Sequence, residues 1–316
     1  MDVLPLAPPS STDPSRIEPA RRRGWLKYLV VGLLFCGVAL TLLRGWSELA
    51  EYHWKIDHTP VMVALALWIL TTLGTGGCWL VVTRAFALRL PLGPALRVYC
   101  TSNLGKYLPG KVLHVFARVY LVQQQGVPLA VGTTSTMLDV LLYLAAGLVL
   151  SVFALPTVMG GYRPGLMAGA GLAVLVGFTL LHPRVLNAVL ATGARFVPRL
   201  CGLRFELRYR TILGAFCLYL ALWLAITGAV YAGVRSVAAI PLEKAPLLGA
   251  IFAFSYVTGL ITPTPAGVGG REAAMAWLFS SMMPFPAAVV ATLLSRVLQV
   301  GAEAICAGLL SLLARR

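Results

Sequence analysis

The residues of this chain best suited to chemistry are ionisable groups set among apolar runs. Arg271 and Glu272 close the stretch Ile261-Thr-Pro-Thr-Pro-Ala-Gly-Val-Gly-Gly-Arg-Glu272, which lies between apolar runs at 246–262 and 273–283. Two prolines and three glycines in ten residues cannot continue a helix. Both flanks are too apolar for an ordinary surface loop, and broken backbone at membrane depth occurs only where protein buries it or where it lines a wet cavity. The break therefore brings a base and an acid to such a place. A related segment, Asn103-Leu-Gly-Lys-Tyr-Leu-Pro-Gly-Lys111, sets Lys106 and Lys111 at a break in the other half of the chain. Charge at two backbone breaks is the chemistry of holding and moving a polar cargo, and it predicts a membrane transporter organised around them.

Composition fixes the setting. Of 316 residues 59% are hydrophobic and only 12% charged, against about 25% charged in soluble domains. This predicts an integral membrane protein. The net charge is +15. Because the bases flank apolar spans, they point to anionic lipid headgroups and away from nucleic acid, each base near the surface contributing roughly 1 kcal/mol. The six cysteines (Cys36, Cys78, Cys100, Cys201, Cys217, Cys306) show no metal-binding or C-x-x-C spacing and read as small core residues. No cofactor and no metal site is expected.

Residues 1–24 read as a disordered cytoplasmic tail, and 25–316 as one transmembrane domain. Arg21, Arg22, Arg23 and Lys27 accompany an apolar run at 25–43, long enough to be a retained span. Further spans are expected at 60–83, 131–155, 164–182, 211–232 and 286–313, giving six full crossings. Segments 92–128 and 246–283 remain as broken elements. With the N-terminus inside the cell, the cytoplasmic segments carry 19 of the 26 bases, which sets the orientation. Segment 92–128 then starts and ends inside and segment 246–283 starts and ends outside, so both are re-entrant hairpins. Both termini are cytoplasmic and the expected location is the cell (inner) membrane. Pro109-Gly-Lys-Val112 resembles Pro265-Ala-Gly-Val268; Asp139 follows Pro128 by 11 residues and Arg296 follows Pro286 by 10. The fold expected is therefore all-α and polytopic, with two inverted units at about 60–155 and 211–313.

The string Asn103 to Val112, followed by Arg118 and Leu138-Asp139, resembles the lysylphosphatidylglycerol synthase transmembrane-region family, also called the flippase-like domain family. So does Pro265-Ala-Gly-Val-Gly-Gly-Arg271-Glu272, followed by Ser295-Arg296. The likeness covers about 60–313. The family often has Gly-Glu where Leu113-His114 stands, and Glu-Arg where Thr136-Met137 stands. The resemblance implies a stand-alone member, without an aminoacyl-transferase domain, that moves a lipid headgroup across the bilayer and is no enzyme. The cargo it implies is an anionic or polyprenyl-phosphate-linked lipid, with a lipid-modifying synthase as a further partner.

On that basis Lys106, Lys111, Arg271 and Arg296 are the expected phosphate-binding residues, arginine being suited to bidentate contact. Helix starts after Pro109-Gly110 and around Pro265, Gly267, Gly269 and Gly270 are expected to add backbone N–H donors. Asn103, Arg118, Asp139, Glu272, Gln299 and Glu303 are expected in support; Arg296, Gln299 and Glu303 share a helix face. Each residue also has a plainer reading. Arg271 and Glu272 suit a capped hairpin, Arg296 and Glu303 suit a structural ion pair with Asp139, and Lys106 and Lys111 suit cytoplasmic anchors. Gly74-Thr-Gly-Gly77 reads as close helix packing, and the arginine-rich stretch 184–210 as a surface helix on anionic lipid. Rival functions are a non-transporting partner of a cell-envelope lipid or glycan synthase, a small-solute carrier, and a lipid-linked glycosyltransferase. The last is disfavoured because six of the 11 acids lie in the tail or in loop 44–59 and there is no Asp-x-Asp.

Overall fold

The computed structural model describes residues 56–86, 90–107, 113–154, 156, 164–185, 187–188, 209–262, 264 and 267–313. The tail, the expected span at 25–43, most of the stretch 184–210, and Pro109, Gly110, Lys111 and Pro265 lie outside them. The described residues are helical, with no strand. In chain order the helices are α1 His58–Ala85, α2 Leu92–Asn103, α3 Leu113–Gln123, α4 Leu129–Ser151, α5 Pro164–Leu180, α6 Tyr209–Arg235, α7 Ala245–Ile261, α8 Gly270–Phe279 and α9 Phe285–Leu313. A short 3-10 turn at Leu104–Tyr107 extends α2.

Four helices, α1, α4, α6 and α9, are long and apolar enough to cross a membrane. These helices are 23 to 29 residues long, which is about 35–43 Å at 1.5 Å per residue. Helix α5 falls at the expected run but has only 17 residues. Between the long helices stand two pairs of shorter ones, α2 with α3 and α7 with α8, and each pair packs on itself. The proline- and glycine-rich segments are where these pairs break, as their composition requires.

Small residues bring the helices together. A side chain at Gly74 would meet Leu222 of α6 at 2.9 Å, and one at Gly76 would meet Leu96 of α2 at 2.7 Å, whereas Gly77 faces open space. The packing reading of this glycine cluster thus holds at two of its three glycines. Helix α1 lies along α6, and the core between them and α4 and α7 is aromatic, with Trp68 against Phe252 at 5.4 Å and Trp223 against Tyr143 at 5.0 Å.

Hydrogen bonds and shared surfaces fix which helix ends lie together. The Asp57 N–H at the start of α1 donates to the Ser236 carbonyl just after α6 at 2.9 Å. At the other end, the start of α2, the end of α3 and the last turn of α9 border one groove, lined by Arg97, Gln124 and Ser311 among others. The two short pairs therefore enter the bundle from opposite ends: α2 and α3 from the end where α1 and α9 finish, α7 and α8 from the end where α6 finishes and α9 begins.

Candidate functional site

The ionisable residues of the long helices converge at one level. Thr71 and Thr72 are the middle pair of α1, Gln299 is the middle residue of α9, and Asp139 is one residue from the middle of α4. Their neighbours along each helix are apolar, so the charged groups among them find partners on other helices. Three ion pairs result among the described residues. Lys106, in the turn that extends α2, reaches Glu303 of α9 at 2.6 Å, and the Tyr107 hydroxyl donates to the same carboxylate at 3.0 Å. Arg118 of α3 pairs with Asp139 of α4, which also accepts from the Tyr219 hydroxyl of α6. Arg296 of α9 pairs with Glu272 of α8 at 2.6 Å. Arg296, Gln299 and Glu303 do share one face, linked by side-chain hydrogen bonds at 3.3 and 3.4 Å.

Two details differ from expectation. Asp139 takes Arg118 as its partner, not Arg296, because α3 folds directly onto α4 while α9 meets α8. The N–H groups expected to await an anion at Gly267 and Gly269 are already used: Gly267 donates to the Thr264 carbonyl at 3.2 Å and Gly269 to Glu272 at 2.7 Å. Glu272 therefore caps α8 and holds Arg296 at once. The turn that permits this needs glycine, since Gly267 has φ +70° and a side chain there would meet the Gly259 backbone at 2.6 Å.

Arg271 stands apart. It is 3% exposed, and its Nε and Nη2 groups have no hydrogen-bond partner. Its guanidinium lies over the Phe252 and Tyr256 rings of α7 at 4.6 and 4.9 Å. Arg118 is held similarly, 3.9 Å over the Tyr99 ring of α2, but it has a carboxylate as well. Of the four bases Lys106, Arg118, Arg271 and Arg296, only Arg271 lacks an acidic partner among the described residues.

These groups line two adjoining compartments. The larger, about 320 Å³, is walled by Trp68, Thr71, Thr72, Thr75, Tyr99 and Tyr143 and carries both the Arg118–Asp139 and Lys106–Glu303 pairs. The smaller, about 90 Å³, is bounded by Lys106, Thr264, Gly267, Arg271 and Arg296, with no carboxylate among the described residues of its wall. Asn103, Lys106, His114 and Tyr256 border both. The two backbone breaks therefore meet at one site, Asn103 and Lys106 from the first and Gly267 and Arg271 from the second. The space is basic and sized for a small polar group, a setting that suits an anion.

The aromatic and threonine walls were not singled out from the sequence. A signal existed in Thr71, Thr72 and Thr75, three hydroxyls within one turn at the centre of an apolar run. Tyr99, Phe252 and Tyr256 carried none, because an aromatic residue in an apolar run does not reveal which face it occupies.

Residues 25–305 match the family described as lysylphosphatidylglycerol synthase TM region. No curated protein matches the chain.

Proposed function

The chain belongs to the lysylphosphatidylglycerol synthase TM-region family, and from that premise we propose that it is a flippase-like transporter that passes a phosphate-bearing lipid headgroup across the bilayer. Its membrane character is multi-pass, with the four long apolar helices as spans. The observation that carries the reading is Arg271: a buried guanidinium with no acidic partner among the described residues, bordering a basic compartment where the two backbone breaks meet. A phosphate oxygen is the natural acceptor for it. Lys106 and Arg296 add charge from the same wall, and Lys111 completes the proposed binding set from outside the described residues. Acyl chains remain in lipid while the headgroup passes through the cavity. The carboxylates Asp139, Glu272 and Glu303 hold the bases in place, a positioning role that needs no bond-making chemistry.

The proposed architecture has six crossings, with 25–43 and α5 joining the four long helices, and two re-entrant pairs arranged as inverted units. The order long–short–short–long occurs twice, α1 to α4 and α6 to α9. Each unit stacks an arginine of its second short helix on an aromatic ring of its first, Arg118 on Tyr99 and Arg271 on Phe252 and Tyr256. Each also pairs that second short helix with the long helix after it, with the charges exchanged: Arg118 with Asp139 in the first unit, Glu272 with Arg296 in the second. Entry of the two pairs from opposite ends supports the inversion. Charge bias along the chain sets the α2–α3 end in the cytoplasm. In a variant lacking the six native cysteines, a cysteine at Gln124 is expected to label only from the cytoplasm and one at Glu243 only from outside; the opposite pattern overturns this orientation.

Transport itself is tested in proteoliposomes holding a trace of phosphatidylglycerol with a fluorescent label on one acyl chain near the headgroup, leaving the headgroup unaltered. A membrane-impermeant quencher is expected to reach the inner-leaflet pool in protein-containing vesicles and not in protein-free ones. Equal protection in both leaves the chain as a non-transporting partner of a lipid or glycan synthase.

A further inference from the structure

The groove at the end of the bundle where α1 and α9 finish holds about 610 Å³ and shares no lining residue with either central compartment. Three faces meet around it. Helix α2 contributes Arg97 and Thr101, four positions apart on one face, the residues just past α3 contribute Gln124 and Gln125, and the last turn of α9 contributes Leu310 and Leu313. No described residue fills the space beside Gly93, which borders the groove and where a side chain would meet nothing within 4 Å.

The depth of the groove follows from α9. Gln299 stands at the level of the central ionisable groups, and Leu310 follows it by 11 residues, about 16 Å along the axis at 1.5 Å per residue. Half of a ~30 Å hydrocarbon core is about 15 Å. The groove therefore straddles the boundary between acyl chains and headgroups. Leu313 is 67% exposed at that depth, and Arg97, Thr101, Gln124 and Gln125 are exposed as well. Leucines, a guanidinium, a hydroxyl and two amides together suit a molecule that is apolar at one end and polar at the other.

Charge decides which such molecule. Arg97 has no ion pair among the described residues. Residues 84–128 and 304–316, which supply all three faces, contain no acid, and Arg84, Arg89, Arg315 and Arg316 flank those faces in the sequence. Of the other bases in these stretches, Lys106, His114 and Arg118 border the central compartments, and Lys111 follows the first break. A basic surface at headgroup depth attracts anionic lipid. The helix ends refine the placement. Helix α2 starts at the groove, so the N–H groups of its first turn favour negative charge, whereas α3 and α9 end there with carbonyls that do not. The phosphate thus belongs on the α2 side, beside Arg97. An acidic peptide could meet Arg97 too, but leucines at the hydrocarbon boundary favour an acyl chain.

We propose that this groove binds an anionic phospholipid of the adjoining leaflet, with its phosphate on Arg97 and its first acyl carbons against Leu310 and Leu313. The lipid is a bound brace and not cargo. It joins the first short pair to the end of α9, the same two parts that Lys106 and Glu303 join nearer the centre.

The test is photolabelling of the purified full chain in detergent. The probe is phosphatidylglycerol with a diazirine on an acyl chain near the glycerol, and adducts are mapped by peptide mass spectrometry. Adducts are expected within 310–313 and 121–125. Unlabelled phosphatidylglycerol is expected to displace the probe there about tenfold better than phosphatidylcholine. Arg97→Gln alters an exposed side chain without an ion pair, so it is expected to stay folded and to weaken labelling about tenfold or more, the fold-change of one charge-assisted hydrogen bond. Ser311→Trp sets a ring into the groove from the last turn of α9 and is expected to reduce labelling similarly. Arg271→Gln is expected to leave labelling of the groove unchanged. Equal displacement by phosphatidylcholine makes the contact a general lipid contact and overturns the proposal. So does undiminished labelling of Arg97→Gln, or loss of labelling in Arg271→Gln. Absence of adducts in the groove, the result an acidic protein partner predicts, overturns it equally. Labelling involves no flux, so a chain that labels here and does not translocate defeats only the transport reading, and one that translocates without labelling here defeats only this proposal.

Discussion

Arg271→Gln is expected to abolish headgroup translocation while the protein stays folded. The two effects separate because of how the charges are partnered. Removing Lys106 or Arg118 leaves Glu303 or Asp139 buried without its base, and removing Arg296 leaves the half-buried Glu272 without its own. Each such loss confounds function with stability, since an uncompensated buried charge costs roughly 3–5 kcal/mol. Removing Arg271 strands no acid among the described residues. It forfeits contacts with the Phe252 and Tyr256 rings, each about 0.5–2 kcal/mol, and relieves a desolvated guanidinium whose Nε and Nη2 are unsatisfied. These terms oppose one another, so thermal stability in detergent is expected to stay near that of the parent. Losing a desolvated phosphate contact costs binding about 2–5 kcal/mol, which is thirtyfold or more in affinity. Residues that sacrifice stability for function behave in this way. Normal translocation by Arg271→Gln removes the basis of the phosphate site. A large fall in melting temperature with flux retained makes Arg271 a structural residue.

The elements of this fold were legible where composition decides them. Helices α1, α4, α6 and α9 coincide with the apolar runs within a few residues, because a run without breakers in hydrocarbon has no alternative to helix. The two interruptions were legible from Pro263, Pro265 and the glycines that follow, and from Gly105 and the Pro109-Gly110 pair. Which charges meet was not. Lys106 finds Glu303 across 197 positions and Tyr219 finds Asp139 across 80, and no local spacing rule connects such residues. Where a spacing rule applied it worked, as with Arg296, Gln299 and Glu303 on one face of α9. The Asp139 partner eluded the reading for a related reason. Both Arg118 and Arg296 are charge-compatible, and only the docking of α3 onto α4 chooses between them. The solitude of Arg271 was equally hidden: the sequence places Glu272 beside it, yet Glu272 is drawn to Gly269 and Arg296.

The Arg118–Asp139 pair gives the second large effect, on stability. Both residues are almost wholly inaccessible, at 1% and 2% exposure. Asp139 receives a guanidinium and a phenol, and Arg118 receives the Tyr99 face and lies 3.3 Å from the Ser102 hydroxyl. Asp139→Asn is nearly isosteric, so it disturbs packing little and removes the compensating charge. The remaining guanidinium is expected to cost about 3–5 kcal/mol, which corresponds to a melting temperature lower by about 10 °C. Arg118→Met, which strands the carboxylate instead, is expected to cost a similar amount. The double variant Arg118→Met with Asp139→Leu is expected to recover most of the loss, because apolar side chains of similar volume commonly replace a buried ion pair without penalty. Thermal melts of the four proteins in one detergent measure the cycle. A double variant as unstable as either single one means that the Tyr219 and Tyr99 contacts depend on charge in their own right, so that the centre of the bundle is held by a network and not by one pair.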